Sequence, residues 1–291
     1  MTSYSLSDSY AHCTGLARRT ARNFYYSFLT LSASGFRDMC VLYAFMRVCD
    51  DIGDAKGVPV DKRRNELECW RRSLSRALAG EGFDHLVFPA LIDVVGRHHI
   101  PPQHLADVID GVEMDLAPVG FDTFDELKQY CYLVAGAVGL CCIHIWGFHD
   151  DRALDAAVEC GIAFQLTNIL RDLGEDADMG RVYLPREDLQ RFDYSEDDLR
   201  FGRHNTQFVE LMQFEVERTR SFFRSAQPLF DYLKPDGKPA LSAMMRIYGG
   251  LLEQIERRNY DVFASQVRLP GWKKAMISVD AILRRRWLAR S

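Results

Sequence analysis

Two apolar runs in this 291-residue chain each lead into a row of acids, and that pairing restricts the fold more than any other feature. "MCVLYAF" is followed by Asp50, Asp51 and Asp54 within "MRVCDDIGDA" (46–55). "CGIAFQL" is followed by Asp172, Glu175, Asp176 and Asp178 within "NILRDLGEDADMGRVYLP" (168–185). On a helix, residues four apart share a face one turn apart, so Asp50 and Asp54 point the same way, with Asp51 offset by about 100°. Asn168, Asp172 and Asp176 form a second stripe by the same rule. A lone D-x-x-x-D is ordinarily a solvated helix face. Here the apolar lead-in residues require largely buried helices, where unpaired carboxylates are costly. Acids crowded on one stripe repel each other unless a cation neutralises them. Hard oxygen ligands suit Mg²⁺, which bridges carboxylates to a substrate's phosphates, and Mn²⁺ shares that preference. Arg47, one turn before Asp51, and Arg171 with Arg181 are placed to meet phosphate oxygens directly. The pattern predicts a metal–diphosphate site between facing helices.

The rest of the chain supplies helices and almost no strand signal. Periodicity predicts helices over 10–32, 36–54, 61–79, 84–97, 103–115, 123–147, 151–177, 206–233, 238–266 and 271–288. Breakers fall between them, such as "KGVP" (56–59), "APVG" (117–120) and "KPDGKP" (234–239). No linker or composition shift divides residues 1–291, which predicts a single all-α domain. Gln129–His149 carries no formal charge and is long enough to span a bilayer, but its glycines, tyrosines and His144 fit a buried central helix better. The eight cysteines show no zinc spacing and mostly sit in apolar runs, as small buried hydrophobes of a reducing compartment do. "MTSYSLSDSY" has neither a basic nor an apolar signal region, so the cytoplasm is the expected location. A net charge of −5 excludes the global basic field of nucleic-acid binders. From Arg268 onward, seven basic residues face one acid (Asp280), about +6, leaving about −11 elsewhere. That basic end, with Trp272 and Trp287, is either a solvated helix face or a peripheral contact with an anionic membrane.

Aromatic and aliphatic walls suit an isoprenoid tail, and aromatic faces stabilise carbocations. Candidate walls include Phe24, Phe28, Tyr43, Tyr132, Phe164 and Tyr248. At this point the residues resemble the squalene/phytoene synthase family, the head-to-head prenyl synthases. "FYYSFLTL…LYAFMRVCDDIGD" is similar to that family's first signature and "YLVAGAVG" to its Y-x-V-A-G-x-V-G helix. "GIAFQLTNILRDLGEDADMGRVYLP" is similar to its second signature, and "MRIYGGLLEQIERRNYDVF" to its C-terminal pattern. The resemblance implies an isoprenoid-synthase helical bundle around a central apolar cavity. It implies Asp50, Asp54 and nearby Asp51 as metal ligands at the first row, and Asn168, Asp172 and Asp176 at the second. Arg47, Arg171 and Arg181 would bind diphosphate with Gln165 close by, and Tyr43, Tyr132 and Tyr248 would line the cavity near the reacting carbons. Departures affect the first diphosphate contacts: the positions before "FYYSF" read "RTARN", with Arg19 and Arg22 the only candidates for that contact, "LS" (31–32) stands for the usual "LP", and Ala55 for a frequent acid.

The implied reaction joins two prenyl diphosphates. Ionisation of one gives an allylic cation, attack by the other's double bond and proton loss give a cyclopropyl diphosphate, and a second ionisation rearranges the ring. NADPH as a terminal hydride source stays open at this level. Bulky Phe24 and Phe28 favour two farnesyl (C15) chains and a presqualene-type C30 product, whereas small Cys40 favours geranylgeranyl (C20) chains and phytoene. A terpene cyclase or head-to-tail elongase does not fit "QLTNILRD…GRVYLP". A non-catalytic scaffold relative should have lost acids that this chain keeps.

Overall fold

The computed structural model describes residues 4–116 and 120–288, apart from the side chains of Arg22, Asn23 and 284–288. Its helices run in chain order α1 (Leu6–Thr20), α2 (Arg22–Phe28), α3 (Ala33–Gly53), α4 (Val60–Leu78), α5 (Phe88–His98), α6 (Pro102–Met114) and α7 (Phe124–Cys131). A π-helical turn (Tyr132–Gly136) joins α7 to α8 (Ala137–Trp146). Then follow α9 (Arg152–Asp178), α10 (Arg186–Arg191), α11 (Glu196–Arg200), α12 (Thr206–Ala226), α13 (Leu229–Tyr232), α14 (Lys238–Arg257) and α15 (Gly271–Leu288). Among the described residues there is no strand beyond one isolated bridge, Phe148 to Leu233. The fold is the all-α class that the periodicity predicts, and its apolar core runs without interruption from Cys13 to Ala281.

Helices α3 and α9 form the centre, with α6, the π turn, α8 and α14 packed around them. Helix α3 starts where Ser32 caps it, its hydroxyl accepting from the Gly35 N–H at 3.2 Å. Helix α7 starts with a capping box between Thr123 and Glu126. The π turn and α8 reach α9 closely because of two glycines. A Cβ on Gly161 would lie 2.4 Å from the Ala135 carbonyl oxygen, and one on Gly139 2.8 Å from that of Ala157. The charge-free stretch is interior: Cys131, Ala137 and Cys141 are fully buried. Among the described residues, two helical stretches are long and apolar enough to cross a membrane, Phe124–Trp146 and Arg152–Asp178, and both are more than half buried within the bundle.

Four helix boundaries differ from expectation. The 10–32 helix breaks at Ala21, and Thr20 turns its hydroxyl back to the Leu16 carbonyl (2.9 Å) at the break. The 206–233 helix stops before Pro228, which cannot donate and crowds the preceding turn. The 238–266 helix ends at Arg257, because Asn259 and Tyr260 adopt positive φ (52° and 64°). The 123–147 helix contains the π turn, an extra residue of the kind that re-aims side chains.

Candidate active site

The C-terminal ends of α3 and α9 bring Asp50 of the first row and Asn168 of the second to one cavity of about 320 Å³, a size typical of small-molecule sites, while Asp51, Asp54, Asp172 and Asp176 are not among its lining residues. Asp50, Asp115, Tyr130, Gln165 and Asn168 line its polar end. Phe24, Phe28, Tyr43, Phe164 and Tyr248 line its walls, and Met39, Trp146, Ala157 and Leu241 extend it away from the acids. Asp54 lies just past the end of α3, yet its N–H still bonds the Asp50 carbonyl at 2.8 Å, so the i,i+4 row survives. Arg181 crosses between the rows, with Nη2 3.6 Å from the Asp54 carboxylate.

Electrostatics show what the rows lack. Asp50 keeps accessible surface because it faces the cavity, although protein surrounds it. Burial pushes its pKa up to about 7, with Asp54, Asp51 and Asp115 adding to the rise and Arg47 opposing it. Asp176 is likewise pushed up to about 7, first by burial and then by Asp172, against Arg181. Arg47 pairs with Asp51, while its Nε is buried without a hydrogen-bond partner. Arg171 grips Asp172 through both Nε (2.8 Å) and Nη2. Two acids whose ionisation is opposed by burial and by each other's neighbours fit a divalent cation, whose charge would relieve both. Among the described residues no three acidic, cysteine or histidine groups converge closely enough to chelate an ion unaided. A bound ion would therefore draw further oxygens from diphosphate and water, which is the habit of Mg²⁺.

The tyrosines divide differently from expectation. Tyr248 is buried, stacks on Phe164 at 4.3 Å, and has its pKa raised to about 12, chiefly by burial. Tyr43 packs edge-on to Phe28 beside Arg47 and Asp50, and burial raises its pKa as well. Tyr132 is a correction: it is absent from the cavity wall, and its hydroxyl donates to Asp107 at 2.9 Å. Two residues along a helix is about 200°, so Tyr132 and Tyr130 face opposite sides and it is Tyr130 that enters the cavity. Cys40, expected to widen the cavity, is fully buried near Cys13 of α1 and does not line it. The Arg22 side chain lies outside the described residues.

Sequence reasoning missed four participants. Asp115 caps α6 and accepts hydrogen bonds from Tyr130 and Tyr183, each at 3.0 Å. The two rings stack at 5.3 Å, and burial raises the Asp115 pKa while the two hydroxyls lower it. Gln266 donates to Glu175 (2.9 Å) and to Asp172 (3.4 Å). Tyr183 was visible inside "GRVYLP", but Asp115 in "VEMDLAP" has no acid three or four residues away to form a row, and Gln266 sat in a stretch that reads as helix.

Known proteins share this sequence and fold. The chain is 35% identical to a 15-cis-phytoene synthase of Synechococcus elongatus, covering 96% of this chain and 94% of that one. It is 36% identical to a phytoene synthase of Arthrospira platensis, over 97% and 95% of the two chains. Among solved structures, a ligand-bound dehydrosqualene synthase superimposes with a TM-score of 0.87 at 26% identity, covering 98% of each chain. A squalene synthase from Alicyclobacillus acidocaldarius gives 0.82 at 27% identity, over 88% of this chain and 96% of that one. Residues 17–273 match squalene/phytoene synthase, and the chain belongs to that family of prenyltransferases.

Proposed function

We propose that the chain joins two farnesyl diphosphates head to head, with Mg²⁺, into presqualene diphosphate or a C30 product derived from it. The bulk of the cavity walls carries the chain-length part of this reading. With Cys40 turned away, the bulk of Phe24 and Phe28 favours the shorter tail.

Asp50, Asp51 and Asp54 at the first row, and Asn168, Asp172 and Asp176 at the second, are the side chains that would hold the ions. When bound, divalent ions supply Lewis-acid pull on diphosphate oxygens. Arg47, Arg171 and Arg181 bind and orient the diphosphates, with Gln165 as a further polar contact. The walls exclude water and offer the Phe24, Phe164 and Tyr248 ring faces to the allylic cation. Attack by the second double bond forms the new carbon–carbon bond. Loss of one proton closes the ring, and one diphosphate leaves, so this half needs no reductant.

A second reading, two geranylgeranyl diphosphates to phytoene, is favoured by the phytoene synthases among the curated relatives. The deciding experiment supplies each substrate separately with Mg²⁺ and no reductant, and identifies extracted products by mass spectrometry. A C30 cyclopropyl diphosphate or hydrocarbon upholds the first reading. C40 phytoene alone replaces it with the second.

A further inference from the structure

Helix α15 packs one face inward and leaves another uncovered. Ile277, Ser278 and Ala281 are buried, and the Ser278 hydroxyl donates to the Tyr26 carbonyl of α2 at 2.9 Å. The opposite face carries Trp272, Met276, Val279 and Leu283, which are 64%, 61%, 55% and 58% exposed. Their spacing of four, three and four keeps them within about 60° of one another around the helix. Isolated exposed apolar residues are ordinary, but four in one row on a terminal helix are not.

Charge indicates what covers the row. The segment from Arg268 carries about +6 while the remainder of the chain carries about −11. Its one acid, Asp280, is paired with Arg246 of α14 at 2.5 Å, so it does not cancel the local positive charge. Lys273 adjoins Trp272, and the sequence continues from Leu283 into Arg284, Arg285, Arg286 and Trp287, whose side chains lie outside the described residues. An apolar stripe bordered by cations on an otherwise acidic protein matches an anionic bilayer surface, with the helix lying in the interface plane. A second copy meeting it through the same face would present the same positive segment and be repelled.

We propose that the Trp272–Met276–Val279–Leu283 face of α15 is a docking surface for anionic lipid. The proposal builds on the prenyl-diphosphate reading only in that substrate tails and a C30 product are themselves lipid-soluble. The binding itself is independent of the reaction.

The test is flotation of the full chain with vesicles of phosphatidylcholine alone or with one-third phosphatidylglycerol. The comparison variant is Trp272→Gln/Met276→Gln/Val279→Gln, chosen because these side chains are exposed and outside the cavity. Wild type is expected to float with anionic vesicles and not with neutral ones, and to be released by salt. The variant is expected to bind at least about tenfold more weakly, since each apolar side chain withdrawn from the interface removes a transfer term. Its circular dichroism and its turnover in detergent should be unchanged. Equal binding by the variant, or none by wild type, overturns the proposal. So does light scattering that finds a wild-type dimer and a monomeric variant, which would make the row a self-association surface. Absence of product from either substrate in detergent would count against the proposed reaction and leave the vesicle result standing.

Discussion

Asp176→Asn should make the metal-free protein more stable while removing its response to metal and diphosphate. The fold holds the Asp176 carboxyl at about 7 rather than 3.8, through burial first and the neighbouring Asp172 second. About three pKa units correspond to about 4 kcal/mol against ionisation. Water penetration and side-chain relaxation at a partly buried site reduce this to about 2 kcal/mol. For a chain of this length that is a Tm gain of about 3 °C. The sign follows from linkage. The unfolded chain ionises this group from about pH 4 upward, while the folded one keeps the proton until about 7. The wild-type penalty is therefore absent below pH 4, grows between 4 and 7, and is complete above 7. Calorimetry in EDTA at several pH values should show the variant's gain at pH 8 shrinking steadily toward pH 4. Adding Mg²⁺ and pyrophosphate should reverse the order, raising wild type well above the variant. No gain at pH 8, or one independent of pH, would refute the view that these acids wait for a cation.

Asp172→Asn should abolish turnover with little change in Tm, and full activity would remove the argument for a metal at the second row. Asp115→Asn should lower kcat or metal affinity by about 10- to 100-fold, as loss of a supporting carboxylate does elsewhere. Metal titration of that variant, followed by thermal shift, separates the two effects. Arg218→Ala should cost about 3–5 kcal/mol in urea unfolding, because it strands two buried acids. Its guanidinium lies 2.6 Å from Asp188 and 3.0 Å from Glu215, both nearly inaccessible, and covers the Phe124 ring at 4.0 Å. A cost below about 1 kcal/mol would mean that water reaches the triad.

The long helices and the acid rows were legible because each rests on periodicity within a single segment. α3 and α9 follow from apolar residues recurring every three to four positions, and the rows from i,i+4 spacing at their ends. What periodicity misses is set by contacts between distant segments. Asp115 matters because Tyr130 and Tyr183, 15 and 68 residues away, converge on it. Gln266 reaches Asp172 across 94 residues, and only because Asn259 and Tyr260 end α14 early. The exchange of Tyr132 for Tyr130 is a matter of two residues and half a helical turn, a phase that a shared motif cannot supply without coordinates.

Arginine pairs, two local and one between the rows, explain how the site can remain folded before any cation arrives. Asp51 and Asp172 are each neutralised by an arginine of their own helix, Arg47 and Arg171. Asp54 leans on Arg181 from the opposing row. The acids left without such a partner, Asp50 and Asp176, are the ones whose pKa rises to about 7. A diphosphate entering with its ions would compete for those three arginines while supplying cations to the acids they release. Substrate and metal should therefore bind with positive coupling, each at least severalfold tighter in the other's presence. Calorimetric titration of pyrophosphate with and without Mg²⁺ measures that coupling. Equal affinities in both would show that the arginine pairs and the acid rows act independently.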